Sequence, residues 1–435
     1  MIDYPPINSS RMLYSQVTSL LIYQSIFDNP IGEDFTRLLQ ILHQEEIHNN
    51  PRQITAFNCL KAYGNWFKKL AYNEESWGDY LLKQILLNQN PFSQLLQKTP
   101  LEKLPKSLIN SIENDLKILE NLYNCTPDKI CQWVQIAAQL PHLPIAWEVE
   151  NRETNFLNES ENWSTKLAQL ACYYQRRGVG IFAQFYAFRW QEGKLKVVEQ
   201  VDPVKTEELV GYQWQKEILL KNTEFLLSDY PALSVLLYGS RGSGKSSLVK
   251  SLLHKYADRG LRLIEVNKHE LKNLNAILEL LYNQPQKFII YVDDLSFEED
   301  NESFKSLKVL LEGGLTARPQ NVVIYATSNR RHLIKENLED RPSKPSQEEV
   351  YSWDSVEEKL SFSDRFGLTL TFEPANQTTY LEIVHHLANL AGIKIDPEQL
   401  NFKAKQWATR HNGRSGRTAR QFIDFLVAEL AMLRP

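Results

Sequence analysis

The chain has 435 residues, of which 43% are hydrophobic and 23% are charged, and its formal net charge is −4. This composition is that of a soluble globular protein, and the length predicts two or three domains. The small negative charge excludes a surface built throughout for nucleic acid, although it leaves room for a local basic patch. Because no apolar run reaches the length of a membrane span, we expect no membrane insertion.

The four cysteines are scattered along the chain, and no pair of them has the spacing of metal ligands. Polar residues interrupt the N-terminal segment, which therefore lacks the continuous apolar core of a signal peptide. Free thiols are typical of proteins in a reducing compartment. We therefore predict a cytoplasmic location.

The first part of the chain has the pattern of amphipathic helices separated by short polar turns. Leu13, Val17 and Leu20 share one helical face near the N-terminus. Further helical stretches are predicted near 33–47, 52–71, 75–89, 106–122 and 127–140. The pattern predicts a mostly helical N-terminal domain over residues 1–177. It carries no motif for a known ligand, and we expect it to select an unidentified protein partner.

The pattern changes at Gly178. The segments GIFAQFYAFRW and KLKVVEQVD, joined by a Gln-Glu-Gly turn, predict a β-hairpin and linker over 178–204. From 205 to 375 short apolar strands alternate with helices, which predicts an α/β domain of three layers with a parallel sheet. Within it, the polar segment 337–358 predicts a long surface loop. Residues 376–435 are helical again and predict a C-terminal lid.

A glycine-rich loop follows the apolar strand SVLLYG and precedes a helix. Its residues, GSRGSGKS, match GxxxxGK[ST], in which backbone N–H groups surround phosphate oxygens and the helix adds its positive dipole end. Lys245 is expected to reach the β- and γ-phosphates of ATP, and Ser246 to ligate Mg²⁺. The predicted cofactor-binding residues of this loop are Gly239, Ser240, Arg241, Gly242, Ser243, Gly244, Lys245, Ser246 and Ser247.

Two adjacent carboxylates end the apolar strand KFIIYV. Asp293 is placed to hold Mg²⁺ through its water shell, together with Ser246. Asp294 is placed to orient or deprotonate the attacking water. The alternative is that either residue is only an acidic cap on the following segment. With the phosphate loop, the pair favours a Mg²⁺-dependent ATP site.

The spacing of these motifs resembles the AAA+ branch of P-loop ATPases over roughly 205–435. The segment EELVGYQWQKEILLKNTEFLL resembles the adenine-side segment of that family, with Val210, Gly211 and Tyr212 backing the base. More narrowly, LLYGSRGSGKSSLVK, YVDDLSF, LEGGLTARPQNVVIYATSNRR and EKLSFSDRFGL resemble a bacterial AAA-type family known as domain of unknown function 815. That resemblance implies an ATPase and supplies no biological role.

The AAA+ resemblance also implies three catalytic residues besides Asp294. Asn329 matches the sensor-1 position, where a neutral amide can hydrogen-bond a water or a γ-phosphate oxygen. Arg365, in SDRFG, matches the arginine-finger position, from which a cation can reach a neighbouring subunit's γ-phosphate. Arg417 matches the sensor-2 position of the lid. The resemblance therefore implies a homo-oligomer.

Simpler explanations remain open for these residues. Asn329 could be a polar strand end, and Arg365 could form a surface ion pair. Arg420 lies three residues after Arg417 on the same helical face and competes with it for the nucleotide. Two further arginines stay undecided between nucleotide sensing and a solvated strand end, namely Arg330 and Arg331.

The chain departs from the AAA+ pattern at two places. Most hydrolases of the family have glutamate where this chain has Asp294, whose side chain is shorter by about 1.5 Å. Because water positioning is geometrically demanding, we expect slow hydrolysis unless the backbone compensates. The stretch from Glu265 to Lys287 also contains no glycine, so it lacks the pore loop with which unfoldases of the family grip a chain. This disfavours a peptide-threading motor.

Three functions remain compatible with the sequence. The first is an ATPase that assembles through Arg365 and remodels a partner. The second is an ATP-gated binding module with little turnover, which Asp294 favours and Arg365 opposes. The third is a DNA-associated loader, suggested by a basic lid but explained more simply by a solvated helical face with two nucleotide-sensing arginines. A P-loop kinase is a distant fourth.

Overall fold

The computed structural model describes residues 8–48, 53–149, 155–159, 162–202, 204–296, 302–312, 319–329, 361–411 and 413–432. The chain divides into two compact units, Met1–Gln184 and Phe185–Pro435. Among the described residues, no helix combines the length and the apolar character needed to cross a membrane.

The described part of the first unit is helical, which confirms the helical character predicted for the N-terminal region. Its helices are α1 (Asn8–Thr18), α2 (Pro30–His48), α3 (Gln53–Asn73), α4 (Trp77–Leu87), α5 (Pro91–Leu96), α6 (Lys106–Tyr123), α7 (Pro127–Ala138), α8 (Leu167–Arg177) and α9 (Ile181–Gln184). Aromatic side chains fill its core, where the rings of Phe35 and Trp77 lie 3.9 Å apart. Trp66 packs against both rings. The tryptophans of this unit are therefore core residues.

A buried carboxylate on α6 ties the segment after α1 to the helical core. Asp115 is 0% exposed and accepts hydrogen bonds from the backbone N–H groups of Leu21, Ile22 and Tyr23. The hydroxyl of Tyr23 in turn bonds the hydroxyl of Tyr174 at 2.9 Å. Because buried backbone N–H groups need acceptors, Asp115 fixes the path of this non-helical segment.

The described residues of the second unit form a seven-stranded sheet in the order β2-β1-β4-β5-β6-β3-β7. The strands are β1 (Ala187–Gln191), β2 (Lys194–Val197), β3 (Val235–Gly239), β4 (Leu261–Val266), β5 (Lys287–Val292), β6 (Val322–Ser328) and β7 (Leu368–Phe372). The pair β1–β2 is antiparallel and the remaining pairs are parallel. Every residue of β6 is buried, as expected for a parallel strand that is covered on both faces.

The hairpin differs from the sequence-based expectation. With its linker it was predicted over 178–204, at the end of the N-terminal domain and before the α/β domain, whereas Ile181–Gln184 is helical and the first strand begins at Ala187. This strand pairs in parallel with β4, with Phe188 opposite Ile264, so the hairpin extends the sheet. The pairing satisfies the backbone groups of β4 and buries Phe188, which explains why the hairpin joins the α/β unit.

The second unit also contains seven described α-helices. They are α10 (Gln213–Leu227), α11 (Lys245–Tyr256), α12 (Leu274–Leu281), α13 (Glu302–Glu312), α14 (Gln377–Leu390), α15 (Pro397–Arg410) and α16 (Gly416–Met432). The last three helices form the lid around a core of their own. Asp396 caps α15 by accepting from two backbone N–H groups, and Pro397 occupies its first turn. The predicted surface loop, 337–358, lies outside the described residues.

Candidate nucleotide-binding site

The phosphate loop joins β3 to α11 and is braced by the end of β7. At Gly239, where φ is +137°, a Cβ atom would lie 2.0 Å from the carbonyl oxygen of Phe372. Only glycine fits this close backbone approach. The N–H of Ser240 donates to the same carbonyl at 3.0 Å. Gly244 has a φ of +90° and turns the chain into α11, so that the helix N-terminus faces the loop.

The Lys245 ammonium lies inside this loop. It donates to the carbonyls of Gly239 and Ser240 at 2.9 and 2.7 Å, and to Oδ1 of Asn329 at 3.3 Å. Burial lowers the pKa of Lys245 below its usual value, although the charges of Asp293 and Asp294 oppose the shift. The ammonium is thus held by neutral acceptors, which the phosphate oxygens of a nucleotide could replace.

Asp293 follows β5 and receives hydrogen bonds from two hydroxyls. Ser246 donates to its Oδ1 at 2.8 Å, and Thr327 donates to the same oxygen at 2.6 Å. Burial alone would raise the pKa of this carboxyl, but the hydroxyls of Thr327, Tyr291 and Ser246 together outweigh burial and lower it. Asp293 is therefore an anion beside a hydroxyl oxygen, and both are hard donors of the kind that Mg²⁺ prefers.

Asp294 adopts a backbone conformation that is unusual for a residue other than glycine. Its φ is +50°, in the left-handed region. Its N–H donates to Oγ1 of Thr327 at 3.1 Å, and its Oδ1 accepts from Nδ2 of Asn329 at 2.8 Å. The amide of Asn329 therefore bridges Asp294 and Lys245, and the structure brings together the three polar groups predicted for the phosphate end of the site.

A cavity of about 940 Å³ opens from the phosphate loop towards the lid. It is lined by the predicted residues Val210, Gly211, Tyr212, Arg241, Gly242, Ser243, Gly244, Lys245, Ser246, Ser247, Asp293, Asp294, Asn329 and Arg417. Gly239 and Ser240 are part of the loop but do not line the cavity. The sequence reasoning missed several lining residues, among them Leu209, Lys216, Thr327, Phe372, Ile383 and Leu387. The i, i+4 spacing of Ile383 and Leu387 was a signal for an apolar face on α14.

Tyr212 was expected to back the base, and it does line the cavity. Its hydroxyl donates to the carbonyl of Glu373, and its ring lies 4.9 Å from the ring of Phe372. Its φ of +54° starts α10 from a left-handed residue. Tyr212 therefore also anchors the start of α10 to the end of β7.

The two lid arginines that competed for the nucleotide occupy different environments. Arg420 forms an ion pair with Glu208, in the short 3₁₀ turn Thr206–Glu208. Both arginines line the cavity, and the backbone N–H of Arg417 donates to the carbonyl of Gly242 at 3.3 Å. Within the described part of the chain, no ion pair involves the Arg417 side chain. This geometry favours Arg417 as the group available to a nucleotide.

Arg365, the residue matched to the arginine-finger position, lies in a short turn before β7. It ends the 3₁₀ turn Ser361–Arg365, with its guanidinium carbon 5.9 Å from the ring centroid of Phe362. It is not among the described residues that line the cavity. The two undecided arginines, Arg330 and Arg331, lie outside the described residues.

The strand carrying the phosphate loop is separated from the strand carrying the carboxylates by β6, and a helical lid follows the sheet. This is a P-loop domain of the AAA+ class. The chain belongs to the DUF815 family, because the family model described as "Protein of unknown function (DUF815)" matches residues 183–430, more than half of the chain. The resemblance inferred from the motifs is thereby confirmed.

Solved structures that match about half of the chain include RuvB of Thermotoga maritima, a Holliday junction branch migration motor. It is 14% identical, with a TM-score of 0.31, and the match covers 52% of this chain and 72% of that chain. Two variants of the same RuvB match with the same identity and coverage and a TM-score of 0.32. No curated protein matches the chain.

Proposed function

We propose that this protein binds Mg-ATP, hydrolyses it to ADP and phosphate, and couples the cycle to a conformational change or to the remodelling of a partner protein. One observation carries the proposal. An ammonium (Lys245), an anionic carboxylate beside a hydroxyl (Asp293 and Ser246) and a carboxylate–amide pair (Asp294 and Asn329) converge at one end of a cavity large enough for a nucleotide.

The donor set fits Mg²⁺. Ser246 and Asp293 supply adjacent oxygen donors, and Mg²⁺ in ATP sites commonly takes one or two protein oxygens, with phosphates and waters as its other ligands. When bound, the ion would neutralise phosphate charge. Lys245 would exchange its loop carbonyls for phosphate oxygens, and the N–H groups of the loop would hold the remaining phosphate charge.

Asp294 is the proposed acceptor for a proton of the attacking water. Its Oδ1 is bonded to Asn329, which leaves the other carboxylate oxygen to hydrogen-bond the water. Because Asn329 also accepts from Lys245, this amide would place the water-orienting carboxylate relative to the phosphate-binding ammonium. Arg417 would add a positive charge from the lid when it closes.

The ATP-gated binding module is the second candidate, and it shares this site. The short Asp294 side chain favours it, since poor placement of the water would leave binding intact and slow the chemistry. The two candidates differ in one measurement, which is steady-state turnover with and without partners.

A DNA-associated loader is less well supported. Three of the basic lid residues that suggested it have other partners or positions, the whole set being Lys403, Lys405, Arg410, Arg414, Arg417 and Arg420. Lys403 pairs with Glu429, Arg420 pairs with Glu208, and Arg417 lines the cavity. We therefore favour a protein partner, engaged through the helical first unit by a homo-oligomer. Among the described residues, Cys125, Cys131 and Cys172 form no disulfide, which supports the proposal of a cytoplasmic location.

The test of nucleotide binding is calorimetry on Lys245→Ala, with Lys255→Ala as its control. Lys255 is an exposed lysine at the other end of the same helix. A hydrogen bond to a charged group contributes about 1.5–3 kcal/mol, so loss of the ammonium should weaken Mg-ATP binding by roughly 10- to 150-fold. Lys255→Ala should bind as the wild type does. An unchanged affinity in folded Lys245→Ala would refute the proposed site.

A further inference from the structure

One buried hydroxyl contacts both carboxylate-bearing residues of the site. Thr327 lies on β6 and is 2% exposed. Its Oγ1 donates to Oδ1 of Asp293 at 2.6 Å and accepts from the N–H of Asp294 at 3.1 Å. The hydroxyl hydrogen of Thr327 is therefore bonded to Asp293, the carboxylate that would hold Mg²⁺. A lone pair of the same oxygen accepts from the backbone N–H of Asp294, the residue that would orient water.

The peptide that Thr327 holds has an uncommon conformation. A residue other than glycine is seldom found in the left-handed region, and its surroundings fix it there. At Asp294 the surroundings are the Thr327 hydroxyl on the N–H and the Asn329 amide on the carboxylate. Next along the chain, the N–H of Leu295 donates to the carbonyl of Thr327 at 2.7 Å. Thr327 thus contacts the turn after β5 at consecutive residues.

We propose that Thr327 is a positioning residue for ATP hydrolysis, in which a single hydroxyl fixes the Asp293 carboxylate and the left-handed peptide of Asp294 together. This inference rests on the proposed hydrolysis of Mg-ATP. In the left-handed conformation the backbone, rather than a longer side chain, sets where the Asp294 carboxylate lies. The chain therefore has a structural means of using aspartate where the resembling ATPases use glutamate.

Substitution of Thr327 by valine and by serine distinguishes the effect of the hydroxyl group from the effect of side-chain packing. Thr327→Val keeps the shape and removes the hydroxyl, so Asp293 loses a donor and the Asp294 N–H loses its acceptor. Thr327→Ser keeps the hydroxyl and loses a methyl group. Groups that orient a metal ligand typically contribute 10- to 100-fold in metal affinity or activity. Thr327→Ser should stay close to the wild type.

The first arm of the test is kinetic. In Thr327→Val, kcat and the affinity for Mg²⁺ in the nucleotide complex should each fall by roughly 10- to 100-fold, while ATP affinity without Mg²⁺ and KM stay near wild-type values. Thr327→Ser should restore both quantities. Wild-type kcat and Mg²⁺ dependence in Thr327→Val would overturn the proposal. So would equal impairment in the serine variant, because the methyl group would then be the important part.

The second arm is structural and needs no nucleotide. Crystal structures of wild type and both variants should show the Asp294 peptide leaving the left-handed region in Thr327→Val and remaining there in Thr327→Ser. An unchanged Asp294 φ and an intact bond to Asn329 in the valine variant would overturn the proposal. If the wild type showed no turnover, hydrolysis would be refuted, whereas this arm would still decide the role of Thr327.

Discussion

Asp294 can be tested with little disturbance of its surroundings, because asparagine also tolerates the left-handed region. In Asp294→Asn the side chain keeps its size and loses the ability to accept a proton. Positioned general bases typically contribute 10²- to 10⁴-fold to rate. ATP affinity should therefore stay near the wild-type value, and single-turnover hydrolysis should slow by roughly that factor.

The measurement is rapid-quench hydrolysis of bound ATP, with calorimetry as the check on binding. Equal hydrolysis rates in Asp294→Asn and wild type would assign the water-orienting role to another residue. A variant that also lost ATP affinity would instead show that the carboxylate shapes the phosphate loop through Asn329.

At the scale of single residues, site residues with a signal in the neighbouring sequence could be predicted. Residues that join the site through long-range contacts could not. Lys245 and Asp293 could be found because the strands before them and the spacing around them lie within a few residues. Thr327 could not, because a threonine inside a buried strand has the β-propensity of an ordinary core residue. Its two side-chain partners lie 34 and 33 positions away, across the sheet.

The lid packs on the phosphate loop through a glycine that the loop motif does not require. At Gly242 a Cβ atom would lie 2.8 Å from Oγ of Ser415 and 3.3 Å from Cβ of Arg417. Gly193 has a similar φ, +71° against +74° at Gly242, but no atom lies within 4 Å of its own added Cβ. Alanine substitutions at these two glycines therefore distinguish the effect of backbone strain from the effect of contact with the lid.

We predict that Gly242→Ala displaces the lid, whereas Gly193→Ala shows only the strain of alanine at positive φ, about 1 kcal/mol. The measurement is amide hydrogen exchange at Arg417, whose N–H donates to the Gly242 carbonyl. Its protection should be lost in Gly242→Ala and retained in Gly193→Ala. Retained protection in both variants would show that the lid adapts by small shifts of Ser415.

Whole elements could be predicted where their hydrophobic period is strong, and their partners could not. The helices of the first unit and the alternating strands and helices of the second unit follow from periodicity. The hairpin was visible in the sequence, but its place beside β4 depends on pairs such as Arg189 and Glu265, which lie 76 residues apart. The Glu208–Arg420 ion pair joins residues 212 positions apart. Neither contact has a local signal.

On the scale of the assembly, Arg365 raises the question of where its guanidinium acts. It lies outside the cavity of its own chain, and the AAA+ resemblance places this position opposite the nucleotide of a neighbouring subunit. A guanidinium supplied in trans contributes 10³- to 10⁵-fold in GTPases, which serves as an upper guide. We predict that Arg365→Ala keeps ATP binding and loses most hydrolysis. We also predict that the turnover per subunit of the wild type rises with protein concentration.

Mixing tests whether the site is shared. A Lys245→Ala subunit binds nucleotide weakly but keeps its own arginine, so it should restore part of the turnover of Arg365→Ala subunits. The readout is ATPase rate against mixing ratio, with Lys255→Ala, Arg365→Ala double-variant subunits as the control partner. If mixing restored no turnover, and turnover per subunit stayed constant on dilution to the monomer, the shared-site model would be refuted. Arg365 would then be a structural residue.

The ion pair between Arg420 and Glu208 also connects the lid to the turn Thr206–Glu208. The turn Thr206–Glu208 is held to the lid twice, since a ring nitrogen of His386 also bonds the carbonyl of Glu207 at 2.7 Å. The edge strand β2 ends at Val197 and the turn begins at Thr206, so a pull on that edge of the sheet reaches the lid contact along the chain. Coupling of this kind is reciprocal. Nucleotide binding that stabilises the contact between the turn and the lid makes the two harder to pull apart. By reciprocity, a load that draws the turn away from the lid lowers the affinity for nucleotide by the same factor.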